Sequence, residues 1–322
     1  MKLVILLLLS TSIFATNILT NYRLNGIKEI EKQMDSELSQ VSYWSEFLKD
    51  KDTTFGYLES YSNVLTCNKK NSTLNLYSTD QNKKFKFRKE YSAFTGKKKG
   101  DKIKEGDLKT PIGIYNIVKK LSKETKLNSF YGPLAFVTSY PNLYDSYRGK
   151  DGSGIWIHGL PTEQKRDEFT RGCIAINNPN IECLDKNIDI TKTLLIINSD
   201  KVKRDISKKT LASILSQLYT WRYSWLYNDI DTYLGFYAYE FIRSDGINFG
   251  TFRNYKTRVF KKIEKKSITF KNIDIIPYPN SENIFQITFK EFYTSSSFKF
   301  EGQKVLMVKL DKDNNFKIFT EK

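Results

Sequence analysis

The spacing of apolar residues changes along the chain, and those changes limit what it can fold into. Between residues 22 and 49, Ile27, Ile30, Met34, Leu38, Val41, Trp44, Phe47 and Leu48 recur mainly at steps of three or four, which predicts an amphipathic helical element. From about residue 70 the step becomes two. Leu74-Asn75-Leu76-Tyr77 and Phe85-Lys86-Phe87-Arg88 alternate as half-buried strands do. Further strands are expected at 112–118, 134–138, 154–158, 173–176 and 194–198, with room for only short helices between them. A mostly β domain over roughly 70–200 follows. After a polar seam at 199–205, Leu211, Ile214, Leu215, Leu218, Trp221, Trp225 and Tyr233 form an apolar helical face. Residues 252–259, 267–275, 284–293, 304–310 and 316–320 then read as strands, with a turn at 311–315 by its residue types. Helices followed by antiparallel strands make an α+β domain over 205–322. The segment 16–69 is left as a helical N-terminal element, suited either to capping its own domain or to joining two copies of the chain.

Met1-Lys2, the apolar run from Leu3 to Leu9 and a small-residue cut after Ala15 have the form of a secretory signal peptide over 1–15. The run is too short for a membrane span, and no other stretch approaches the length needed. The chain carries 52 Lys+Arg against 36 Asp+Glu, a net +16. In an exported protein this favours an anionic lipid or wall polymer over nucleic acid, although the basic residues are scattered enough to serve solubility alone. One His and three Cys exclude a His-rich metal site and a disulfide scaffold. Neither metal nor cofactor is expected. Cys67 and Cys183 are either paired in an oxidising compartment or separate thiols. The cluster Trp221, Trp225, Tyr233, Tyr237 and Tyr239 suits a core more than a ligand pocket.

The stretch richest in chemistry is Ile155-Trp156-Ile157-His158-Gly159 followed by Arg171-Gly172-Cys173-Ile174-Ala175-Ile176. A thiol becomes a strong nucleophile when an imidazole takes its proton or stabilises its thiolate. Gly172 lets backbone approach a substrate carbonyl, and the N–H groups of Gly172 and Cys173 could form an oxyanion hole. Taken alone, a packed imidazole and a core thiol explain these residues at least as well.

The wider pattern shifts that balance. Gly106-Asp107-Leu108-Lys109-Thr110-Pro111-Ile112-Gly113-Ile114-Tyr115, then His158-Gly159, then Thr170-Arg171-Gly172-Cys173 resembles the L,D-transpeptidase catalytic domain, the YkuD fold. The resemblance implies a β-sandwich with short helices, Cys173 as nucleophile, His158 as its base and the Gly159 carbonyl as orienter of the imidazole. It also places the oxyanion hole around Arg171–Cys173. Two departures stand out: Arg171 replaces a common His, and Ala175 replaces a common Arg. The contact to a substrate carboxylate therefore passes to Arg171, Lys109, Arg148 or Lys150, with Arg171 favoured for its bidentate geometry. Tyr131-Gly132-Pro133, Tyr140-Pro141-Asn142 and Trp156 resemble a narrower branch, the helical-cell-shape L,D-carboxypeptidases of curved Gram-negative bacteria. In that branch a nuclear-transport-factor-like domain follows and the N-terminal segment dimerises. Tyr131 and Trp156 are accordingly expected beside the substrate. The implied protein is periplasmic and removes D-Ala from peptidoglycan stem tetrapeptides without a cofactor. Cross-linking of stem peptides and a non-catalytic wall-binding scaffold are the alternatives.

Overall fold

The computed structural model describes residues 18–161, 168–200 and 205–322; the expected signal segment 1–15 lies outside them. Strand β1 (Tyr57–Leu58) belongs to a C-terminal sheet described below. The next eight strands are β2 (Asn63–Asn68), β3 (Thr73–Thr79), β4 (Phe85–Phe94), β5 (Gly113–Ser122), β6 (Leu134–Thr138), β7 (Trp156–His158), β8 (Ile174–Ile176) and β9 (Thr193–Asn198). They close into a barrel in the order β2-β3-β4-β8-β7-β6-β5-β9, where a sandwich was expected. Closure comes from β9, which pairs parallel with β2 on one side and antiparallel with β5 on the other. Strand β2 starts ahead of the expected boundary at residue 70. Its first five residues are all buried, so it lacks the alternation that reveals a half-exposed strand. Inside the barrel Leu65, Tyr115, Phe136, Ile157, Ile174, Ile176 and Leu195 form one core. Cys67 lies in the same core as a free thiol, and burial pushes it up to about 12. Cys183, also free, sits on a helix against Lys89 and Asn187, so the two do not pair.

The C-terminal domain is a five-stranded antiparallel sheet of β1, β10 (Ser267–Pro277), β11 (Ile284–Thr294), β12 (Lys299–Leu310) and β13 (Phe316–Glu321). One face packs against the helix Lys208–Leu226, with the fully buried Trp221 stacked on Tyr233 and Phe270. Most of the aromatic cluster is therefore core, whereas Tyr239 is 93% exposed. The strand expected at 252–259 is instead a helix, Phe249–Phe260. Asn248 caps it by accepting from the Thr251 N–H, and Phe252, Lys256 and Phe260 bury one face at steps of four. The other face of the sheet meets the barrel, where Ile276, Tyr278, Met307 and Phe319 pack on Val64, Ile114, Leu194 and Ile196.

The N-terminal element is helical but broken. Residues 18–25, Ile27–Glu37 and Val41–Phe47 are separate helices, with Gln40 extended between the last two. The Trp44 ring lies tilted against Tyr219 at 5.1 Å, and Asp35 pairs with Arg222 at 2.7 Å, so the element caps its own C-terminal domain.

Asp274 ties the two units together. Its Oδ1 accepts the backbone N–H groups of Glu59 and Ser60, both at 2.9 Å, on the segment leading into the barrel. Burial pushes its carboxyl up to about 6, although those N–H groups and the Ser60 hydroxyl hold it down. The folded state therefore holds this proton more tightly than the unfolded chain does. Stability contributed at this site falls as pH rises from about 4 to 6. Asp274→Asn, which retains an acceptor for both N–H groups, is expected to match the wild type at pH 4. At pH 8 it should exceed it by up to about 2 kcal/mol. Urea unfolding at the two pH values checks this.

Candidate active site

Strands β7 and β8 run parallel, with Ile157 opposite Ile174 and His158 opposite Ala175. Ile157 and Ile174 point into the barrel core, so His158 and Ala175 share the other face. Cys173, two residues before Ala175, falls on that same face. Continuing the register places Cys173 opposite Trp156 and diagonal to His158, so the sequence-distant His158 and Cys173 share one face of adjacent strands.

The imidazole is 1% exposed and firmly oriented. Its Nδ1 lies 2.6 Å from the Gly159 carbonyl oxygen, which can only accept. Nδ1 therefore carries the proton, and Nε2 is the basic nitrogen. Tyr131 closes one side, its ring edge-on to His158 at 5.1 Å and beside Trp156 at 4.8 Å. Asn178, which the sequence reading passed over, grips the exit of this strand. Its amide accepts from the Leu160 N–H at 2.7 Å and donates to the Leu160 carbonyl at 3.1 Å. The Asn178 Oδ1 also occupies the space a Cβ at Gly132 or Gly159 would need.

The Cys173 thiol is partly exposed and donates to the Gly154 carbonyl at 3.3 Å. Just before it, Gly172 has φ +142°, and a Cβ there would lie 3.0 Å from the Lys109 carbonyl oxygen. Any other residue at this position strains the turn. The expected oxyanion donor pair needs correction. The Gly172 N–H donates to the Thr170 hydroxyl at 3.0 Å, and that hydroxyl donates in turn to the Cys173 carbonyl at 2.6 Å. This engages the Gly172 N–H, one of the two expected donors. Thr170, 3% exposed, belongs to the sequence motif, but the motif did not show this bridging role.

The Gly106–Tyr115 motif builds the support behind this turn. Asp107 accepts from the Ile103, Lys104 and Lys109 N–H groups and pairs with Lys102 at 3.1 Å. Burial would raise its carboxyl, but these donors bring it to about 2. The Thr110 hydroxyl accepts from the Gly96 N–H, and the Lys109 carbonyl backs Gly172. Deeper in, the fully buried Asp145 binds Lys150 at 2.8 Å, Arg148 at 3.0 Å and the Tyr115 hydroxyl at 2.9 Å. Asp101 binds the same two cations.

The expected substrate-contact residues therefore separate. Arg148 is committed to Asp101 and Asp145 and lies over the Tyr144 and Tyr278 rings, so it braces the fold. Lys150, 5% exposed, does likewise. Lys109 is half-buried beside Gly100 and contributes chiefly through its backbone. Arg171 is exposed next to Cys173 and makes no side-chain ion pair with a described residue.

Comparison with known proteins agrees with this geometry. Residues 62–197 match the L,D-transpeptidase catalytic domain, YkuD, and residues 213–322 match the Cds6 C-terminal NTF2-like domain. The helical cell shape determining protein Pgp2 from Campylobacter jejuni is 38% identical, over 88% of this chain and 100% of its own, with a TM-score of 0.80. The chain belongs to the L,D-transpeptidase (YkuD) family. Bd1075 of Bdellovibrio bacteriovorus is similar at 26% identity, over 84% of this chain and 96% of its own, with a TM-score of 0.65. None of the curated proteins matches the chain. Like these two structures, this member of the family spans more than the catalytic domain. Among the described residues no helix is long and apolar enough to cross a membrane, and no His, Cys, Asp and Glu cluster could hold a metal ion.

Proposed function

We propose that the protein is a periplasmic peptidoglycan L,D-carboxypeptidase that acts on stem tetrapeptides and takes part in setting cell shape. The observation that carries this reading is the placement of Cys173 on one sheet face with an imidazole whose Nδ1 is fixed by the Gly159 carbonyl. The thiol gives its proton to Nε2, and the thiolate attacks the carbonyl joining the L-centre of diaminopimelate to the terminal D-Ala. The C–N bond breaks as the imidazolium protonates the leaving amine. D-Ala departs and an acyl thioester remains on Cys173. Water, deprotonated by His158, then releases the tripeptide and regenerates the thiol. The backbone of the Arg171–Cys173 turn receives the oxyanion, and Arg171 receives the terminal carboxylate. Neither metal nor organic cofactor enters the sequence of steps. The exposed Leu19, Tyr22, Leu24 and Ile27 of the N-terminal element offer the surface for a homodimer.

Purified disaccharide tetrapeptide incubated with the mature protein is expected to give disaccharide tripeptide and free D-Ala in equal amounts by mass spectrometry. New L,D-linked dimers would mean that a second stem amine, not water, takes the acyl group, the transpeptidase alternative on the same residues. No turnover at all would favour a wall-binding scaffold. Arg171→Ala is expected to raise KM about 10- to 100-fold with kcat little changed. A charged hydrogen bond of about 1.5–3 kcal/mol is then lost equally from ground and transition states. Steady-state D-Ala release checks this split.

A further inference from the structure

The face of the C-terminal sheet that meets the barrel is apolar at one end and polar at the other. Ile276 and Met307 pack on the barrel, yet Gln286 stands directly between them in register. In the next row Asp274 pairs with Thr288, and Thr288 with Val305. Here the barrel and sheet part, leaving a cleft of about 750 Å³ between them. That volume lies within the range of small-ligand sites, about 300–1,000 Å³.

Gln286 is 9% exposed, lines this cleft, and its side-chain amide makes no hydrogen bond with any described residue. Its amide atoms stay accessible to the cleft, where they offer both a donor and an acceptor to a ligand. The opposite wall offers Asn116 and Ser139; the Asn116 side-chain oxygen accepts from the Tyr61 hydroxyl at 2.7 Å, which leaves its amide NH₂ to donate. The charges in the cleft balance: Glu59 and Asp274 against Lys192 and Lys322. Both Glu59 oxygens are occupied, by the Tyr57 hydroxyl at 2.5 Å and the Ile273 N–H at 2.8 Å. The cleft thus presents amide and hydroxyl groups, two tyrosine side chains, Tyr61 and Tyr115, and side-chain charges that cancel. This chemistry fits an uncharged, polyhydroxylated ligand bearing amides, and suits an anionic stem peptide poorly.

We propose that the cleft between barrel and C-terminal sheet binds a neutral N-acetylated saccharide, with Gln286 as its central amide contact. This deepens the wall-substrate reading, on which it rests for the source of the sugar, by giving the glycan a site separate from Cys173.

The test titrates the mature full-length protein with chitotetraose by calorimetry, with cellotetraose, which lacks acetamido groups, as comparison. Saturable binding of chitotetraose is expected, at least ten-fold tighter than cellotetraose. It should weaken at least ten-fold in Gln286→Ala and in Gln303→Trp. Gln303 is an exposed lining residue, so its replacement obstructs the cleft without entering a core. Unchanged unfolding temperatures establish that both variants fold. Cys173→Ala should bind chitotetraose like the wild type, which separates this assignment from the peptidase reading. Absence of saturable binding, binding indifferent to both variants, or equal binding of cellotetraose would each overturn it.

Discussion

Cys173→Ala is expected to lower turnover of a stem tetrapeptide by about 10⁴-fold or more, with the unfolding midpoint nearly unchanged. The thiol is partly exposed and donates to the Gly154 carbonyl, so removing it leaves no cavity in the core. No other described thiol can substitute. Cys67 is sealed in the barrel with its proton held tightly, and Cys183 lies on the helix Asn178–Asn187 beyond β8. His158→Gln should lose about 10²- to 10⁴-fold, the range for a general base. Because nucleophile and base act as a unit, the double variant should be scarcely slower than Cys173→Ala alone. Rates that multiply instead would mean that the two residues act in separate steps.

The second large effect is structural. Asp145→Ala is expected to destabilise the barrel by about 3–5 kcal/mol, because it leaves buried cations short of a partner. Lys150 and Arg148 would then share Asp101 alone, and the Tyr115 hydroxyl and the Asn142 N–H would each lose an acceptor. Asp145→Asn should cost less, since its amide oxygen can still accept from Tyr115. Activity should fall along with stability. Lys150 and Asp151 tie this network to the loop carrying Lys109, through the Asp151 N–H on Ile103 and the Glu105 N–H on Asp151. Gly154, whose carbonyl holds the Cys173 thiol, follows three residues later. Buried pairs are weakly screened, so the loss should persist in 1 M salt. Denaturant unfolding of the three proteins at low and high salt measures it.

The placement of His158 and Cys173 at the ends of two neighbouring strands was legible, because each sits beside Gly at the end of an apolar alternating run. The strands at 134–138 and 284–293 were legible from their apolar spacing. What escaped has physical reasons. Strand β2 is buried on both faces, one toward the barrel core and one toward the C-terminal sheet, so its sequence does not alternate. In the helix Phe249–Phe260 the buried polar residue is Lys256, whose ammonium lies 4.1 Å from the Trp225 ring centroid. A lysine at a core position hides helical periodicity, which is why 252–259 resembled a strand. Arg148 looked like a substrate contact because it is basic and near the motif. Its two carboxylate partners are separated from each other by more than forty positions of sequence, and only the fold brings them together. The role of the Gly172 N–H depends on Thr170, which opens the Thr-x-Gly-Cys motif in the sequence but whose bonds to Gly172 and Cys173 only the fold reveals.

The central claim is that the acyl group passes through Cys173. The most direct measurement quenches the mature protein in acid during turnover of disaccharide tetrapeptide and maps the adduct by peptide mass spectrometry. The account predicts a disaccharide-tripeptide acyl group on the peptide containing Cys173, absent from Cys173→Ala. Steady release of D-Ala from Cys173→Ala, or an acyl group mapped to another residue, would contradict it.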